Sequence, residues 1–213
     1  MPFGVFTISA MDTNEIRDRY DAFARWYDVV ESIPEWLGLR RLRRGLIGQA
    51  RGRVLEVAAG TGRNLPFYPS GVQFTAVDLS SAMLSRARGR AARLGLAVQF
   101  SVQDGATLGF RDGSFDTVIS TLTVCTFPDP VAALREMARV CRPGGQILLL
   151  EHGRSDRPWL SRWQDRRAPR HYRMLGCNLT REPLELARQA GLVIQSAHRH
   201  LLGMVFVIRA ATV

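Results

Sequence analysis

The stretch from residue 54 to 62, Val-Leu-Glu-Val-Ala-Ala-Gly-Thr-Gly, constrains the fold of this 213-residue chain more than any other segment. An apolar, β-branched run around Glu56 breaks into Gly60-x-Gly62, the pattern of a buried strand followed by a tight turn. A second apolar run, residues 72–77, ends in Asp78. A carboxylate at the end of that strand can accept two hydrogen bonds from a ribose diol. The segment therefore predicts a nucleoside-binding α/β domain.

The spacing of the glycines indicates which nucleoside binds. A dinucleotide fold has a third glycine, which brings helix and strand close together beneath a pyrophosphate; here Leu65 occupies that position. Glu56 would repel a pyrophosphate but attract the α-ammonium of a methionine moiety. The pattern acidic-x-x-x-Gly-x-Gly resembles motif I of the class I S-adenosylmethionine (SAM) methyltransferases. That family has glycine where this chain has Ala58, so we expect the loop to adopt a conformation there that alanine tolerates.

Composition excludes several classes of chemistry. All 29 basic residues are arginine, so Schiff-base chemistry on a lysine is excluded. Cys125, Cys141 and Cys177 are odd in number and form no CxxC pair, which favours a reducing, cytoplasmic setting. The net charge of +10 reflects either a compositional bias, which we favour, or an anionic partner such as a phospholipid surface or RNA. No apolar run approaches the roughly 20 residues of a membrane span.

Helical and strand periodicities alternate along the chain, which predicts a doubly wound, seven-stranded, Rossmann-like α/β sheet with two N-terminal helices. The predicted strand order is 3-2-1-4-5-7-6, with strand 7 antiparallel because it follows strand 6 too closely for a helical crossover. Residues 1–11 are predicted as a flexible tail and residues 12–213 as one domain. Within it, residues 12–50 form a helical cap and residues 153–180 a basic loop over the site. The predicted helices span residues 12–32, 36–49, 80–94, 131–140 and 182–190. Strands three, four and five are predicted at residues 97–102, 115–120 and 145–150, and strands six and seven begin at residues 192 and 204. Residues 143–145 are predicted to form a turn.

Ligands of such sheets bind at the carboxyl ends of the strands, where strand order reverses. By resemblance to the family, Gly60 and Gly62 pass beneath the cofactor, Asp78 holds the ribose and Asp104 takes the adenine amino group. For Asp104 the alternative is an ordinary turn residue. The implied cofactor is SAM, with S-adenosylhomocysteine as product. The predicted cofactor-binding residues are Glu56, Ala58, Gly60, Thr61, Gly62, Asp78, Leu79, Met83, Gln103, Asp104, Gly105, Thr121 and Tyr20.

Two further resemblances concern the methyl acceptor. Residues 112–116 and 139–145, with the helix bearing Tyr20 and Tyr27, are similar to the ubiquinone and menaquinone C-methyltransferase type, in which that helix closes over the cofactor. Residues 150–153 and 176–182 resemble the animal thiol S-methyltransferases. We therefore predict a small-molecule acceptor and slightly favour a thiol or sulfide. A quinone or a phospholipid is the nearest alternative, and a non-catalytic scaffold or assembly factor is the alternative from another class.

A nucleic-acid acceptor is disfavoured, because strand four is followed by neither an Asn/Asp-Pro-Pro-aromatic motif nor a Pro-Cys pair. The second N-terminal helix carries arginines between apolar residues. We favour a solvated arginine face for it, with peripheral contact to a membrane surface as the alternative. The oligomeric state cannot be derived from the sequence.

The predicted catalytic residues are His152, at the end of strand five, and Tyr27. A thiol with a pKa of about 8.5 needs only modest help to ionise, and histidine titrates near neutrality. His152 is therefore the candidate base, with a structural histidine as the alternative. Cys125, Cys177 and His171 are predicted to line the substrate pocket. His198 and His200 are predicted to lie at the surface, and no metal site is predicted.

Overall fold

The computed structural model describes residues 11–212, so the predicted tail lies outside the described residues except for Met11. Met11 is buried, and its backbone N–H donates a hydrogen bond to the Tyr172 hydroxyl over 2.9 Å. It packs with Ile16 and Tyr172 in a small apolar cluster. The prediction that the tail extends to Met11 is therefore wrong, because this side chain anchors the first helix to a distant one.

Seven strands form one sheet in the order β3-β2-β1-β4-β5-β7-β6, as predicted. Strands β1 to β5 pair in parallel, and β7 is antiparallel to both β5 and β6. The central strands are almost continuously buried, because helices cover both faces of a parallel sheet. The strands are β1 (Arg53–Val57), β2 (Gln73–Asp78), β3 (Val98–Val102), β4 (Phe115–Thr121), β5 (Cys141–His152), β6 (Val193–His200) and β7 (Val205–Ala211).

Local capping residues define the ends of several helices. Asp12 and Glu15 form a reciprocal capping box at the start of the first helix, and Ser80 caps the helix after β2. Gly95 ends that helix in the left-handed conformation that glycine adopts without strain. The helices are α1 (Thr13–Val30), α2 (Ser32–Pro34), α3 (Arg40–Ile47), α4 (Ser81–Leu94), α5 (Pro130–Val140), α6 (Pro158–Leu175) and α7 (Pro183–Gln189), with a π-helical segment at Glu35–Leu39 and a 3-10 turn at Leu65–Phe67.

The core consists of two apolar layers, one on each face of the sheet. Leu55 and Leu149 belong to the layer that contains residues of α5 and α7, whereas Val54 and Leu148 belong to the layer that contains residues of α3. Alternate strand residues point to opposite faces, so neighbouring residues enter different layers. The sheet therefore fixes the direction in which every residue at its carboxyl edge points.

Three predicted elements differ from the structure. Residues 153–180 are mainly helix α6 rather than a loop, because Leu160, Gln164, Ala168 and Tyr172 recur every four residues and are buried. The predicted second helix is interrupted at Gly38, where φ is +123°, and α3 begins only at residue 40. The predicted turn at residues 143–145 lies within β5, as a break in its register with β4.

Candidate active site

A cavity opens at the carboxyl ends of β1 to β4, where the strand order reverses between β1 and β4. Twelve of the thirteen predicted cofactor residues line it. The exception is Gly62, where a Cβ would lie 2.7 Å from Leu65 and 3.2 Å from Ala87. Gly62 therefore serves close packing of the turn against α4, which is the role that a third glycine has in dinucleotide folds.

The turn after β1 presents bare backbone to the cavity. Gly60 has a φ of +57°, and a Cβ placed on it would have no atom within 4 Å. A ligand can therefore approach this backbone closely, as the predicted SAM site requires. Ala58 has a φ of +53°, so the expectation of an alanine-tolerant conformation is wrong. The left-handed region costs a non-glycine residue roughly 1–2 kcal/mol, and the chain bears that strain at the entrance of the turn.

Asp78 is fixed at the end of β2 by two backbone donors. One carboxylate oxygen accepts from the Gly60 N–H over 2.7 Å, and the other accepts from the Ser80 N–H over 2.8 Å. Burial raises the pKa of this carboxyl to about 6, against the opposing effect of these hydrogen bonds. Each oxygen keeps a second lone pair, so the group can still accept hydrogen bonds from a diol in the cavity.

Asp104 combines the two interpretations that the sequence left open. One of its oxygens accepts from the Ala106 N–H over 2.9 Å, which is a turn contact, and the residue also lines the cavity. The side chain of Gln103 is held by Ser101 and by the Gly109 N–H. The third strand therefore ends in a rigid turn with a carboxylate at the cavity wall.

Glu56 lines the cavity and is completely buried. Its oxygens accept from Asn64 Nδ2 over 2.6 Å and from the Tyr68 hydroxyl over 2.9 Å. Burial raises its pKa to about 7, although both hydrogen bonds oppose the shift. A cationic ligand group in the cavity would favour the ionised form of this carboxyl.

The buried arginine Arg43 is a site residue that sequence reasoning missed. It donates to Asn64 over 2.7 Å and to Thr121 over 3.0 Å, and forms an almost fully buried ion pair with Glu35 over 2.7 Å. The predicted solvated arginine face is wrong at this position. Arg43 lies four residues after Leu39 and four before Ile47, so the three side chains lie on one buried face of the helix. That spacing was the signal that the sequence offered.

Helix α1 covers the cavity and contributes Tyr20 and Tyr27 to its wall. Burial raises the pKa of both phenols, so both stay neutral. Asp28 on the same helix accepts from Thr61 Oγ1 over 2.7 Å and forms ion pairs with Arg63 and Arg90. The cap is therefore tied to the cofactor turn and to α4 through Asp28. Asp21 adds a second tie, because it accepts from the Ser80 hydroxyl and from the Ala82 N–H at the start of α4.

A cluster of sulfur and imidazole groups lies beside the two tyrosines. His152 Nε2 is 3.1 Å from Cys177 Sγ, and these atoms and Cys125 Sγ all lie within 4.8 Å of one another. The structure thus brings together three of the predicted catalytic and substrate residues, although none of them lines the cavity directly. Burial raises the pKa of Tyr20, and the charges of Cys125 and Cys177 raise it further. Tyr20 also lines the cavity, so this side chain connects the cluster to the cavity.

His171, the third predicted substrate residue, is half-buried and lies outside this cluster. Burial lowers the pKa of His171, and the nearby charge of His152 lowers it further. His198 and His200 lie on β6, the first exposed and the second half-buried, as predicted for surface residues. Two thiols and one imidazole form a donor set that zinc accepts. The expectation of no metal stays a prediction.

The electrostatics of the cluster favour a protonated His152. Burial alone lowers its pKa, but Cys125, Glu151 and Glu31 outweigh that effect and raise the pKa to about 9. Glu151 is buried and held by Ser120 and by two backbone N–H groups. A base must be neutral before it accepts a proton, whereas a cationic imidazole next to a thiol stabilises the thiolate. The raised pKa therefore favours the cationic form of His152 over the predicted role as base. The hydrogen bond to Cys177 and burial raise the pKa of Cys125 well above its usual range, so this thiol itself stays neutral.

Comparisons with known proteins agree on the type of domain. Residues 55–149 match the family model described as a methyltransferase domain. The chain is 39% identical over 120 residues to a phosphatidylethanolamine N-methyltransferase of Cereibacter sphaeroides, covering 55% of this chain and 59% of that protein. It is 36% identical over 154 residues to a demethylmenaquinone methyltransferase of Beutenbergia cavernae, covering 70% and 61%. The chain thus spans less than two thirds of the length of these two relatives.

Among solved structures, the cyclase SpnF superposes with a TM-score of 0.75 at 18% identity, covering 96% of this chain and 98% of that one. At that identity the likeness shows the fold alone, and the name of this neighbour illustrates that one fold hosts different reactions. Along the described part of the chain, no helix combines the length and the apolar character needed to cross a bilayer.

Proposed function

We propose that the chain is a class I SAM-dependent methyltransferase and that it transfers the methyl group of SAM to a small thiol or to hydrosulfide. The cofactor would lie along the bare turn at Gly60, with its ribose on Asp78 and its adenine near Asp104. The ammonium group of its methionine part would lie towards Glu56. These positions come from the family resemblance, and the open backbone and fixed carboxylates are compatible with them.

The choice of acceptor rests on one observation. His152 Nε2 lies 3.1 Å from Cys177 Sγ, and Cys125 lies beside this contact. A thiol of pKa about 8.5 is ionised only to about 3% at pH 7. A cationic imidazole lowers the pKa of a neighbouring thiol. An acceptor thiol that takes its place in this cluster would therefore be held as the reactive thiolate.

The chain's contribution to methyl transfer is positioning, exclusion of water and stabilisation of charge. Bound SAM supplies a methyl group on an activated sulfonium, which needs no further activation by the protein. Tyr20 and Tyr27, both neutral, line the cavity next to the cluster and would form the wall along which the acceptor sulfur meets the methyl group. The acceptor S–C bond forms as the sulfonium C–S bond breaks, and the thiol proton leaves to solvent before the transfer.

A membrane-borne amine or quinol is the second candidate acceptor, and two observations favour it. The relatives named above are a phosphatidylethanolamine and a demethylmenaquinone methyltransferase. The described surface also carries exposed apolar side chains on the helix that covers the cavity. An amine must lose a proton before it attacks a methyl group, and a cationic His152 has no free lone pair with which to accept that proton. We therefore place this candidate second.

The test is a methyl-transfer screen with isotopically labelled SAM against hydrosulfide, small thiols, quinols, phosphatidylethanolamine vesicles and RNA. We expect turnover with thiols to exceed that with the other acceptors at pH 7. The matched variant His152→Gln removes the cation but keeps a polar side chain. It should reduce turnover with thiols and leave turnover with the other acceptors unchanged.

Three outcomes would change the proposal. Preferred turnover of quinols or of phosphatidylethanolamine would replace the thiol by the second candidate. Turnover with no acceptor, despite measurable SAM binding, would favour the scaffold alternative. Loss of thiol turnover on treatment with a zinc chelator, restored by zinc, would show that Cys125, His152 and Cys177 hold a metal instead of a free imidazolium.

A further inference from the structure

We propose that the face of the molecule around α1 and α6 docks on an anionic membrane surface. The proposal goes beyond methyl transfer and does not depend on which acceptor is used. Its occupant is a bilayer bearing anionic headgroups, and the argument rests on where the chain places its tryptophans, its exposed aliphatic residues and its unpaired arginines.

Helix α1 has an apolar stripe on its outer side. Trp26, Val29 and Val30 lie on α1 at the i, i+3, i+4 spacing of one helical face. Ile33 on α2 and Trp36 and Leu37 on the π-helical segment continue the stripe beyond the end of α1. All six are exposed, Ile33 to 67% and Trp36 to 85%. The inner side of the same helix lines the cavity through Tyr20 and Tyr27. A helix that packs one face on the site and presents a second apolar face to solvent has an unpartnered surface.

Helix α6 and the β6–β7 turn extend this surface. Leu201 lies 3.7 Å from the position that a Cβ on Gly38 would take, and the Ser155 hydroxyl donates to the Leu202 carbonyl. The exposed leucines of the turn thus lie between the end of the α1 stripe and the start of α6, where Trp159 is exposed. At the other end, Arg19 donates to the carbonyls of Arg173 and Met174, so the two helices also meet there. We call this surface the apolar rim; it comprises Trp26, Val29, Val30, Ile33, Trp36, Leu37, Trp159, Trp163, Leu201 and Leu202.

All four tryptophans of the chain lie on the apolar rim. Each is about half exposed or more, between 49% for Trp163 and 85% for Trp36. In folded proteins tryptophan is highly buried on average, whereas at the interface between lipid and water it is enriched because one end of its ring is apolar and the other polar. A protein partner of unspecified character would not by itself explain this concentration of a single residue type.

The charge beside the apolar rim fits anionic headgroups. Helix α6 carries five arginines and a single acidic residue. That acidic residue, Asp165, pairs with Arg154, and none of the five arginines forms an ion pair within residues 11–212. Each arginine near an anionic leaflet contributes about 1 kcal/mol. Apolar insertion and electrostatic attraction together are the two signals that stable interfacial binding requires.

The test uses the full-length protein and vesicles of phosphatidylcholine, with or without about 30% phosphatidylglycerol. Tryptophan emission should shift to shorter wavelength on the anionic vesicles, and brominated lipids should quench it, because every tryptophan lies on the rim. The double variant Ile33→Ser/Trp36→Ser should weaken partitioning at least about tenfold, the loss expected from removing two exposed apolar side chains from the interface.

The matched control is Leu94→Ser/Leu96→Ser, which removes two exposed leucines at and just after the end of α4, before strand β3 and outside the apolar rim. It should leave partitioning unchanged. Absence of binding to anionic vesicles, or equal loss in the control, would overturn the proposal. A concentration-dependent dimer that the rim variant abolishes, without vesicle binding, would assign the surface to a second copy of the chain. Thermal melting of each variant establishes that loss of fold is not the cause.

Discussion

The cofactor side and the acceptor side of the site are built in different ways. On the cofactor side, Glu56 lies near the end of β1, Asp78 is the last residue of β2 and Asp104 follows β3 by two residues. Backbone N–H groups fix the latter two. On the acceptor side, Cys125, His152 and Cys177 come from a loop, a strand end and the segment after α6, 25 to 27 residues apart in the sequence. The first side has its geometry set by local backbone, and the second by how distant elements pack. Perturbations of the two sides should therefore differ in kind.

The largest effect is expected on the cofactor side, from Asp78→Ala. A charge-assisted hydrogen bond contributes about 1.5–3 kcal/mol, so the loss of two ribose contacts should weaken SAM binding at least about 100-fold. Isothermal titration calorimetry measures it. Asp78→Asn, which keeps one acceptor oxygen, should bind SAM with intermediate affinity, and its melting temperature reports on the contacts with Gly60 and Ser80. An unchanged titration for Asp78→Ala would remove the cofactor assignment.

On the acceptor side, His152→Ala should act through pH. Without the cation an acceptor thiol of pKa about 8.5 is mostly protonated at pH 7, so turnover should fall roughly 30-fold. The deficit should shrink about tenfold per pH unit up to pH 8.5, whereas wild-type turnover stays nearly flat because the pKa of His152 is raised to about 9. Initial rates from pH 6.5 to 9.5, in a series of buffers at constant ionic strength, measure it. A constant ratio at every pH would instead indicate a structural role.

Glu56 gives a smaller effect on the cofactor side. Burial raises its pKa to about 7 in the free protein, so it is partly protonated at neutrality. If it holds the ammonium group of SAM, the affinity for SAM should rise about tenfold between pH 6 and pH 8, since binding requires the ionised form. In Glu56→Gln the affinity should be lower and independent of pH. An equally steep pH dependence in that variant would assign the titration to Asp78, whose pKa is raised to about 6.

Glu56 also makes stability depend on pH. Its pKa in the folded protein lies above the ordinary value of 4.5, so its contribution is fully present below pH 4.5 and lost as pH rises through 7. The free energy of unfolding without SAM should therefore decrease between pH 5 and pH 7.5. Urea denaturation of the wild type and of Glu56→Gln measures it, with a flatter profile expected for the variant. An identical decrease in both proteins would point to Glu151, whose pKa burial also raises to about 7.

The smallest expected effect comes from Ala58→Gly, which relieves the φ of +53°. The gain in the folded state of roughly 1–2 kcal/mol is reduced by the greater freedom of glycine in the unfolded chain, which leaves about 0.5–1 kcal/mol of stabilisation. Ala59→Gly, one residue along and buried, is the matched control and should destabilise. Thermal melting of both variants measures the difference. Destabilisation by both would show that the strain at Ala58 is compensated locally.

The same contrast explains what could be predicted from sequence. The strand order and the cavity-lining positions followed from apolar runs that contain or end in an acidic residue, as for Glu56 and Asp78, because strand ends share one edge of the sheet. Arg43 was missed, because in a run of arginines no local pattern marks the single buried one except its register with Leu39 and Ile47. The contact between His152 and Cys177 depends on where α6 returns the chain, which no local signal specifies.

Asp28 has a consequence for the lifetime of the bound cofactor. This half-exposed carboxylate joins α1 to Thr61, Arg63 and Arg90, so α1 can swing away from the cavity only after those contacts break. Part of this attraction is open to solvent and is therefore screened by salt. Residence time, more than equilibrium affinity, should then shorten as ionic strength rises. The cap thus acts as a latch whose release rate depends on Asp28 together with Asp21, both outside the cavity lining itself.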